Sequence, residues 1–228
     1  MAQGQKYPRT FHVNFSPGAT SDDKKAETTA TLENKRIIAS EKLDGSNSGM
    51  NRGGVFARSH SAYTRNPWDN VLWDIHSRIS RDIDEDMFIF GENMYGIHSI
   101  EYRALNSYFY VFGIRVGMTW ISWDDVREAC YLMDLQTVPV LADGIYPDIK
   151  SLITDLVSQP SRLDGFDIFT GVEQMEGCII RSADSFEELV PGDYDRFNGN
   201  LMKWVRADHV TTGEHWTKNW RKATLIQH

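Results

Sequence analysis

The chain has 228 residues, 41% of them hydrophobic and 12% aromatic, so it can bury a sizeable core. Its 32 acidic and 24 basic residues give a net charge of −8, which argues against a uniformly basic nucleic-acid binder, although local basic segments can still hold a polyanion. The chain has no apolar run of about 18 residues and no signal-peptide core at its start, so we expect a cytoplasmic protein without a membrane span.

The two cysteines, Cys130 and Cys178, are far apart in the sequence and belong to no Cys/His cluster. A zinc site or a disulfide framework would need closely spaced ligands or several cysteine pairs. We therefore expect two buried thiols.

The first half of the chain predicts strands and one helix in irregular order. The apolar run 36–39 indicates a strand that leads directly into Lys42. Apolar residues at helical spacing predict a helix over 68–83. Aromatic and β-branched runs predict strands over 87–90 and 108–114.

The second half adds two helices and two late strands. Ser122 and the acids after it have the pattern of an N-cap and first turn, which predicts a helix over 122–132. A second helix is predicted over 147–157, with proline in its first turn. Apolar runs predict strands over 178–180 and 201–205. The order indicates an α+β fold with mixed or antiparallel sheets flanked by helices.

The segment Lys42-Leu43-Asp44-Gly45 most needs an explanation. A lysine at a strand end, with an acid and a glycine behind it, is placed where the backbone can approach a ligand closely. A lysine acts as a nucleophile when burial, neighbouring cations or a metal lower its pKa. The alternative is a solvated lysine in a tight turn, since Asp-Gly is a common turn pair. The four residues alone favour that alternative.

Four further segments follow this one in a fixed order. They are Phe90-Gly91-Glu92, Tyr110-Val111-Phe112, Met175-Glu176-Gly177-Cys178-Ile179-Ile180-Arg181 and Leu201-Met202-Lys203-Trp204. The five segments together resemble the motif series of the covalent nucleotidyltransferases, the superfamily of DNA ligases, RNA ligases and mRNA capping enzymes. The likeness covers residues 41–206, and a chance match to all five is not expected.

The resemblance is closest to the RNA ligase branch, including small phage-type enzymes. Asn47 matches the Asn that ends the Lys-x-x-Gly-Thr-Asn form of the first motif in nick-sealing RNA ligases, and Ser46 replaces the Thr. Further segments that look like this group are 58–60, 65–70, 203–210 and 214–216.

The resemblance implies an ATP-dependent RNA ligase that joins 5′-phosphate and 3′-hydroxyl RNA ends through a lysyl-AMP intermediate and an adenylylated 5′ end. Lys42 would attack ATP and carry the AMP, Glu176 would bind Mg²⁺ or Mn²⁺, and Lys203 would neutralise phosphate charge as the third catalytic residue. The implied ATP-binding residues are Glu41 for adenine, Glu92 for the ribose, Phe112 for stacking on the base, and Asn47, Arg58 and Arg181 for the phosphates.

The same resemblance implies a single nucleotidyltransferase domain over residues 1–228. Only 25 residues follow Lys203, so we expect no C-terminal oligonucleotide-binding (OB) barrel of the kind that DNA ligases and capping enzymes carry. We also expect no obligate protein partner. If the enzyme is phage-type, we expect it in the cytoplasm of a bacterial or phage-infected cell.

Two positions depart from the RNA ligase pattern. Asp44 stands where nick-sealing enzymes often carry His, and Val205 stands where the last motif usually has a second Lys. Arg206 is adjacent to Val205, but strand alternation predicts that it points to the other face.

Three alternatives stay open at this point. They are a minimal ATP-dependent DNA ligase, a nucleotide- or nucleic-acid-binding module with an inactive centre, and a transferase that places AMP on another protein. The joint presence of Lys42, Glu92, Glu176 and Lys203 argues against an inactive centre.

Overall fold

Two β-sheets form the framework of the molecule, which a computed structural model describes over residues 6–58, 62–188, 194–207 and 220–226. In chain order the strands are β1 (Phe11–His12), β2 (Arg36–Lys42), β3 (Ser46–Asn51), β4 (Gly54–Ala57), β5 (Met87–Asn93), β6 (Gly96–Ile97), β7 (Ile100–Tyr102), β8 (Phe109–Val116), β9 (Thr119–Trp120), β10 (Gln136–Thr137), β11 (Val140–Ile145), β12 (Gly165–Asp167), β13 (Gly177–Ser182), β14 (Phe186–Glu187), β15 (Leu201–Val205) and β16 (Arg221–Lys222). The helices are α1 (Asn70–Ile79), which follows a 3-10 turn over Pro67–Asp69, α2 (Trp123–Leu132), α3 (Ile149–Val157) and α4 (Tyr194–Asn200).

The first sheet has the strand order β1-β15-β13-β2-β11, and the second has the order β14-β9-β8-β5-β3-β4 with β10 beside β8. Within the described ranges, β1–β15 and β10–β8 are the parallel strand pairs, and the other pairs of named strands are antiparallel. Two short ribbons, β7–β12 and β6–β16, complete the architecture. The predicted α+β fold with mixed or antiparallel sheets is confirmed.

Strand β2 is buried on both faces, which explains its continuous apolar run. Ile37 and Ala39 pack with Ile149 and Ile153 of α3 in one core, whereas Ile38 belongs to the larger core on the opposite side. Because side chains alternate along a strand, this pattern places every second residue of β2 on the face that carries Ile38.

The larger core contains α1 and α2 as well as the second sheet. Apolar positions of α1, such as Leu72, and of α2, such as Trp123 and Val126, are buried there. Cys130 in this core and Cys178 in the α3 core are both buried and free, which confirms the prediction of two buried thiols.

Helix boundaries differ from the sequence prediction in two places. The predicted helix 68–83 begins as a 3-10 turn and ends at Ile79, because Ile83 is buried beyond the helix end and only mimics one more helical turn. The helix predicted over 147–157 begins at Ile149, because the carboxylate of Asp148 accepts from the Ser151 N–H and acts as the N-cap. The N-cap predicted at Ser122 is confirmed, since its hydroxyl accepts from Asp125 N–H.

Strands β3 and β4, which follow the segment 42–45, were not predicted. Strand β3 has the sequence Ser-Asn-Ser-Gly-Met-Asn, which contains too few apolar residues to give a strand pattern. It forms because it pairs with both β4 and β5. No helix among the described residues is long and apolar enough to span a membrane.

Candidate active site

A cleft of about 560 Å³ lies between the two sheets. Strands β2, β13 and β15 of the first sheet and β3, β5 and β8 of the second contribute side chains to it. Eight of the nine residues selected from the sequence line it directly: Glu41, Lys42, Asn47, Arg58, Glu92, Phe112, Arg181 and Lys203. The ninth, Glu176, joins the site through its contact with Lys42.

Strand alternation explains why the cations of the first sheet enter this cleft. In β2, Lys42 shares its face with Ile38; in β13 and β15, Arg181 and Lys203 occupy the face opposite to the one that packs on α3. The register sets Gly177, the first residue of β13, beside Lys42 and thereby brings the preceding residue, Glu176, to the same end of the sheet.

Lys42 and Glu176 form the central contact of the site. The Lys42 ammonium donates a hydrogen bond to Glu176 Oε2 at 2.5 Å, and the Glu176 side chain is only 6% exposed. Burial disfavours the ammonium, but the charges of Glu176 and Glu92 outweigh that effect and raise the pKa of Lys42. Lys42 is therefore protonated at neutral pH in this arrangement, and it needs a proton acceptor before it can act as a nucleophile.

The acids around Lys42 are held in an environment that disfavours their charge. Burial raises the pKa of Glu176 to about 7 and that of Glu92 to about 8, although the Lys42 ammonium opposes both shifts. Each of these acids also feels the negative charge of Asp44. The positive charge of Lys42 therefore does not fully offset the effect of burial on these two acids.

Asp44 anchors the loop that follows Lys42. The sequence alone predicted only a tight turn at this position. Asp44 Oδ2 accepts from the Ser99 N–H, the Ser99 hydroxyl and the Ile100 N–H at 2.5 to 3.0 Å, and its own N–H donates to the Tyr102 hydroxyl. Gly45 is required beside it, because a Cβ there would lie 2.5 Å from the carbonyl oxygen of Asn93.

Glu41, the residue expected to recognise adenine, lines the cleft, and its carboxylate is held by contacts within the chain. It follows Ala39 on the α3 side of β2, is 1% exposed, and accepts from the Ser161 hydroxyl and the Arg162 N–H. Both carboxylate oxygens are therefore engaged with the loop after α3. These contacts favour a role in holding that loop against the cleft wall.

Two cations offer contacts for phosphate oxygens, and one amide oxygen offers an acceptor for a donor group of a bound ligand or water. Lys203 lies in the cleft with its pKa lowered to about 8 by burial and by the positive charge of Lys42. Arg58 is exposed at the cleft wall. Asn47 also lines the cleft, and its Oδ1 is buried without a hydrogen-bond partner among the described residues. Such an atom is costly unless a ligand or water satisfies it.

Arg181 and Phe112 belong to the aromatic floor of the cleft. The guanidinium of Arg181 donates to the carbonyls of Ser182 and Ile121, and burial lowers its pKa to about 10. The Phe112 ring meets the Tyr7 ring edge-on at a centroid distance of 4.9 Å. Phe112 therefore has a fixed orientation, which a stacking platform for a base requires.

Arg206 does not replace the missing lysine of the last motif. Its side chain forms an ion pair with Asp167, and its N–H donates to the Glu176 carbonyl. As strand alternation predicts, it points away from the face that carries Lys203.

The sequence analysis missed several cleft residues. The buried Asp69 carboxylate accepts from the side chains of Thr64, Asn66 and Asn93 and so joins the start of α1 to β5. Asn66 and Asp69 lie in the RNA-ligase-like segment 65–70, which was the available signal. Other lining residues without an assigned role are Tyr7, Thr10, Trp68 and His98.

The donor set fits a divalent cation that is shared with phosphate. No group of three or more His, Cys, Asp or Glu side chains capable of holding a metal occurs in the described part of the chain. Mg²⁺ commonly takes one or two carboxylates and completes its shell with phosphate oxygens and water. The buried carboxylate of Glu176, the metal ligand expected from the sequence, is suited to that arrangement.

Some predicted segments lie outside the described residues. They are residues 59–60 and 208–219, which include the RNA-ligase-like segment 214–216 and Lys218.

Comparisons with known proteins show the family to which the chain belongs. A family model described as RNA ligase matches residues 35–205. An RNA ligase from Naegleria gruberi, solved with PPi, superposes with a TM-score of 0.50 at 14% identity and covers 89% of this chain and 59% of its own. An archaeal ATP-dependent RNA ligase gives a TM-score of 0.53 at 14% identity and covers 88% of this chain and 48% of its own. The chain thus spans about half to three fifths of these solved proteins. A comparison with curated proteins finds no match.

Proposed function

Because the chain belongs to the RNA ligase family, we propose that it is an ATP-dependent RNA ligase that carries AMP on Lys42. The observation that supports this most directly is the part-buried pair of Lys42 and Glu176 in a cleft that also contains cations and an aromatic ring. Phosphoryl transfer depends mainly on positioning and charge neutralisation, and the cleft offers both.

The first step is attack of the Lys42 amine on the α-phosphorus of ATP. Glu176 Oε2, 2.5 Å from Nζ and with a pKa of about 7, accepts the ammonium proton. The freed electron pair forms the N–P bond, the bond from Pα to the bridging oxygen breaks, and pyrophosphate leaves. A solved RNA ligase of similar fold was obtained with PPi, which is this leaving group.

The cleft residues divide the nucleotide between them. Phe112 stacks on adenine, Glu92 contacts the ribose hydroxyls, and Asn47 Oδ1 accepts from the bound nucleotide or its water. Arg58, Arg181 and Lys203 balance phosphate charge. Mg²⁺ or Mn²⁺, held by Glu176 together with phosphate oxygens, would supply charge neutralisation at the α-phosphate.

Two later steps complete the ligation. The RNA 5′-phosphate takes AMP from Lys42, and the 3′-hydroxyl of the second RNA end then attacks the activated phosphate and releases AMP. The preference for RNA rests on the family, and its physical basis is contact with 2′-hydroxyls or A-form shape near the ends. Cations available for the RNA backbone are Arg52, Arg58, Arg65, Arg221 and Lys222.

The adenylylation step is tested by intact mass after incubation with ATP and Mg²⁺. The wild type is expected to gain one AMP, whereas Lys42→Ala and Lys42→Arg are expected to gain none. Lys150→Ala, which removes an exposed lysine on α3, serves as the matched control and should react like the wild type. An adduct mapped by peptide mass spectrometry to another residue would overturn the assignment of Lys42.

The substrate is tested by sealing matched RNA and DNA substrates, nicked and single-stranded, at two salt concentrations. RNA with a 5′-phosphate and a 3′-hydroxyl should be sealed faster, and the small number of cations should make sealing fall steeply with salt. Equal or faster sealing of an all-DNA nick would support a minimal DNA ligase instead. Transfer of labelled AMP to a protein, with no labelled RNA, would support the AMP-transferase alternative.

We further propose that residues 1–228 act as one nucleotidyltransferase domain and that the protein works in the cytoplasm without an obligate protein partner. The family match over residues 35–205 supports the first part, because it includes every catalytic and nucleotide-binding residue selected from the sequence.

A further inference from the structure

A turn over residues 168–173 carries the second feature of the molecule that suggests a ligand. It connects β12 to the segment before Glu176 and forms the tip of a hairpin, because the Gln174 N–H donates to the Gly165 carbonyl and Phe166 bridges to Glu173. At its tip the Phe169 and Val172 side chains are 47% and 52% exposed. We call residues 168–173 the Phe169 turn.

The Phe169 turn is built to hold its shape. The buried Asp167 carboxylate accepts from the N–H groups of Phe169 and Thr170 through Oδ1 and from the Gln174 amide through Oδ2. The Gly171 N–H also donates to the Asp167 carbonyl. An exposed aromatic ring on a turn fixed in this way loses little conformational entropy when it binds a planar group.

Hydrogen bonds connect this turn to the segment that follows Lys42. The Ile168 N–H donates to the Ser99 carbonyl, and Ser99 in turn holds the carboxylate of Asp44, two residues after Lys42. At its other end, the hairpin leads directly into Glu176. The Phe169 turn is therefore tied to both segments that supply the central contact of the site.

A partly exposed cation, Arg103, packs against the hairpin that carries the turn. The Arg103 guanidinium lies 4.2 Å from the centroid of the Phe166 ring, and its side chain is 45% exposed. Glu173, 3.8 Å from Arg103, partly offsets its charge. An aromatic ring next to an arginine that is itself stacked is the combination that binds bases and phosphates in single strands.

We propose that Phe169 stacks on a base of the RNA near the 5′-phosphate that receives AMP, with Arg103 contacting the adjacent backbone. This inference rests on the proposed RNA ligase function and specifies part of its RNA-binding surface. The ring takes no part in the reaction of Lys42 with ATP, which involves no polynucleotide. Stacking tolerates every base, so the contact adds affinity without sequence preference.

The test compares Phe169→Ala, Phe169→Trp and Tyr131→Ala, in which Tyr131 is an 84% exposed ring on α2. Phe169→Ala should weaken RNA binding about tenfold, as measured by fluorescence anisotropy and by sealing at subsaturating RNA. Phe169→Trp should restore binding, and Tyr131→Ala should match the wild type. Adenylylation by ATP should stay within about twofold in all three variants.

The stacking contact can also be measured directly, as quenching of the fluorescence of 2-aminopurine placed at successive RNA positions from the 5′-phosphate. Quenching by wild-type protein at one of the first few positions, lost in Phe169→Ala, supports the stacking contact. Wild-type RNA affinity in Phe169→Ala would overturn the inference while leaving the proposed function intact. A change from dimer to monomer in Phe169→Ala during sedimentation, with RNA binding unaltered, would overturn it in favour of self-association. Absence of a Lys42 adduct in the wild type would instead refute the proposed function.

Discussion

Two sets of carboxylates in this chain have opposite electrostatic character. Burial raises the pKa of Asp167, but the N–H groups of Thr170 and Phe169 and the charge of Arg206 outweigh it, so the net pKa is lowered. Glu176 is buried as well and Glu92 is half-buried, but their pKa values rise to about 7 and about 8. Hydrogen bonds and charges within the chain compensate for the burial of Asp167, but they compensate only in part for that of Glu92 and Glu176.

The difference separates structural from functional acids. A carboxylate that the chain satisfies stabilises the folded state, and its removal leaves donors without partners. A carboxylate that the chain leaves partly unsatisfied costs stability, and such residues collect where a ligand supplies the missing charge. Substitutions in the two sets should therefore affect stability in opposite directions.

The largest expected effect is the loss of adenylylation in Glu176→Gln. The amide cannot accept the Lys42 proton or hold a cation as a carboxylate does, so the rate of adduct formation should fall at least a hundredfold. Glu173→Gln, which neutralises an exposed acid three residues earlier, is the control and should react normally. Wild-type adduct formation by Glu176→Gln at limiting Mg²⁺ would show that Glu176 has no part in the step.

The next effect is a loss of stability in Asp167→Ala. The substitution leaves Arg206 buried without its partner and removes the acceptor for two backbone N–H groups, so the free energy of unfolding should fall by about 3 kcal/mol. Urea denaturation measures this change. Asp155→Ala, at an exposed position of α3, should change it little. Unchanged stability in Asp167→Ala would remove the distinction between the two sets.

A smaller effect of opposite sign is expected for Glu92→Gln in metal-free buffer. The pKa of Glu92 is about 8 when folded and near 4.5 when unfolded, so the folded state binds more protons between these values and wild-type stability falls as pH rises through that window. The neutral glutamine removes this term. The Tm of the variant should therefore exceed that of the wild type at pH 8.5 and approach it at pH 5.

If differential scanning calorimetry instead showed parallel pH profiles for wild type and Glu92→Gln, the raised pKa of Glu92 would be refuted. Adding ATP and Mg²⁺ should reduce the difference at pH 8.5, because ribose hydroxyls that donate to the Glu92 carboxylate favour its charged form in the wild type.

The smallest effect is expected for Glu41→Gln. The glutamine carbonyl can still accept from the Arg162 N–H, and its amide can donate to the Ser161 hydroxyl. The free energy of unfolding should therefore change little, and the KM for ATP should change less than threefold. Steady-state adenylylation at varied ATP measures this. A tenfold or larger rise in the KM for ATP would support the adenine-binding role of Glu41 that the sequence resemblance implied.

The sequence was informative where chemistry follows motif order. Lys42, Glu92, Glu176 and Lys203 were selected from the ordered segments. Lys42, Glu176 and Lys203 meet because strands β2, β13 and β15 are neighbours, and Glu92 enters the same cleft from β5 of the second sheet. The structure brings these side chains together, while their catalytic roles stay predictions.

The remaining details depend on contacts that no local pattern contains. The anchoring of Asp44 by Ser99 and the engagement of Glu41 by Ser161 join residues more than 50 positions apart. Strand β3 was missed because pairing with β5, and not its own apolar content, makes it a strand. The Phe169 turn was missed because its exposure is a property of the folded hairpin.

The order of strands in the first sheet also has a consequence for how the protein folds. Phe11 pairs with Met202, and Lys42 pairs with Gly177, so the strand pairs that build the sheet around Lys42 and Glu176 join residues that are far apart in the chain. Contacts of such large sequence separation form slowly, since loop closure precedes any gain from pairing. During refolding, the capacity to form the AMP adduct should return with the slowest phase, later than the recovery of strand and helix content. A nascent chain would then be unable to form the AMP adduct until β13 and β15 of the first sheet are in place.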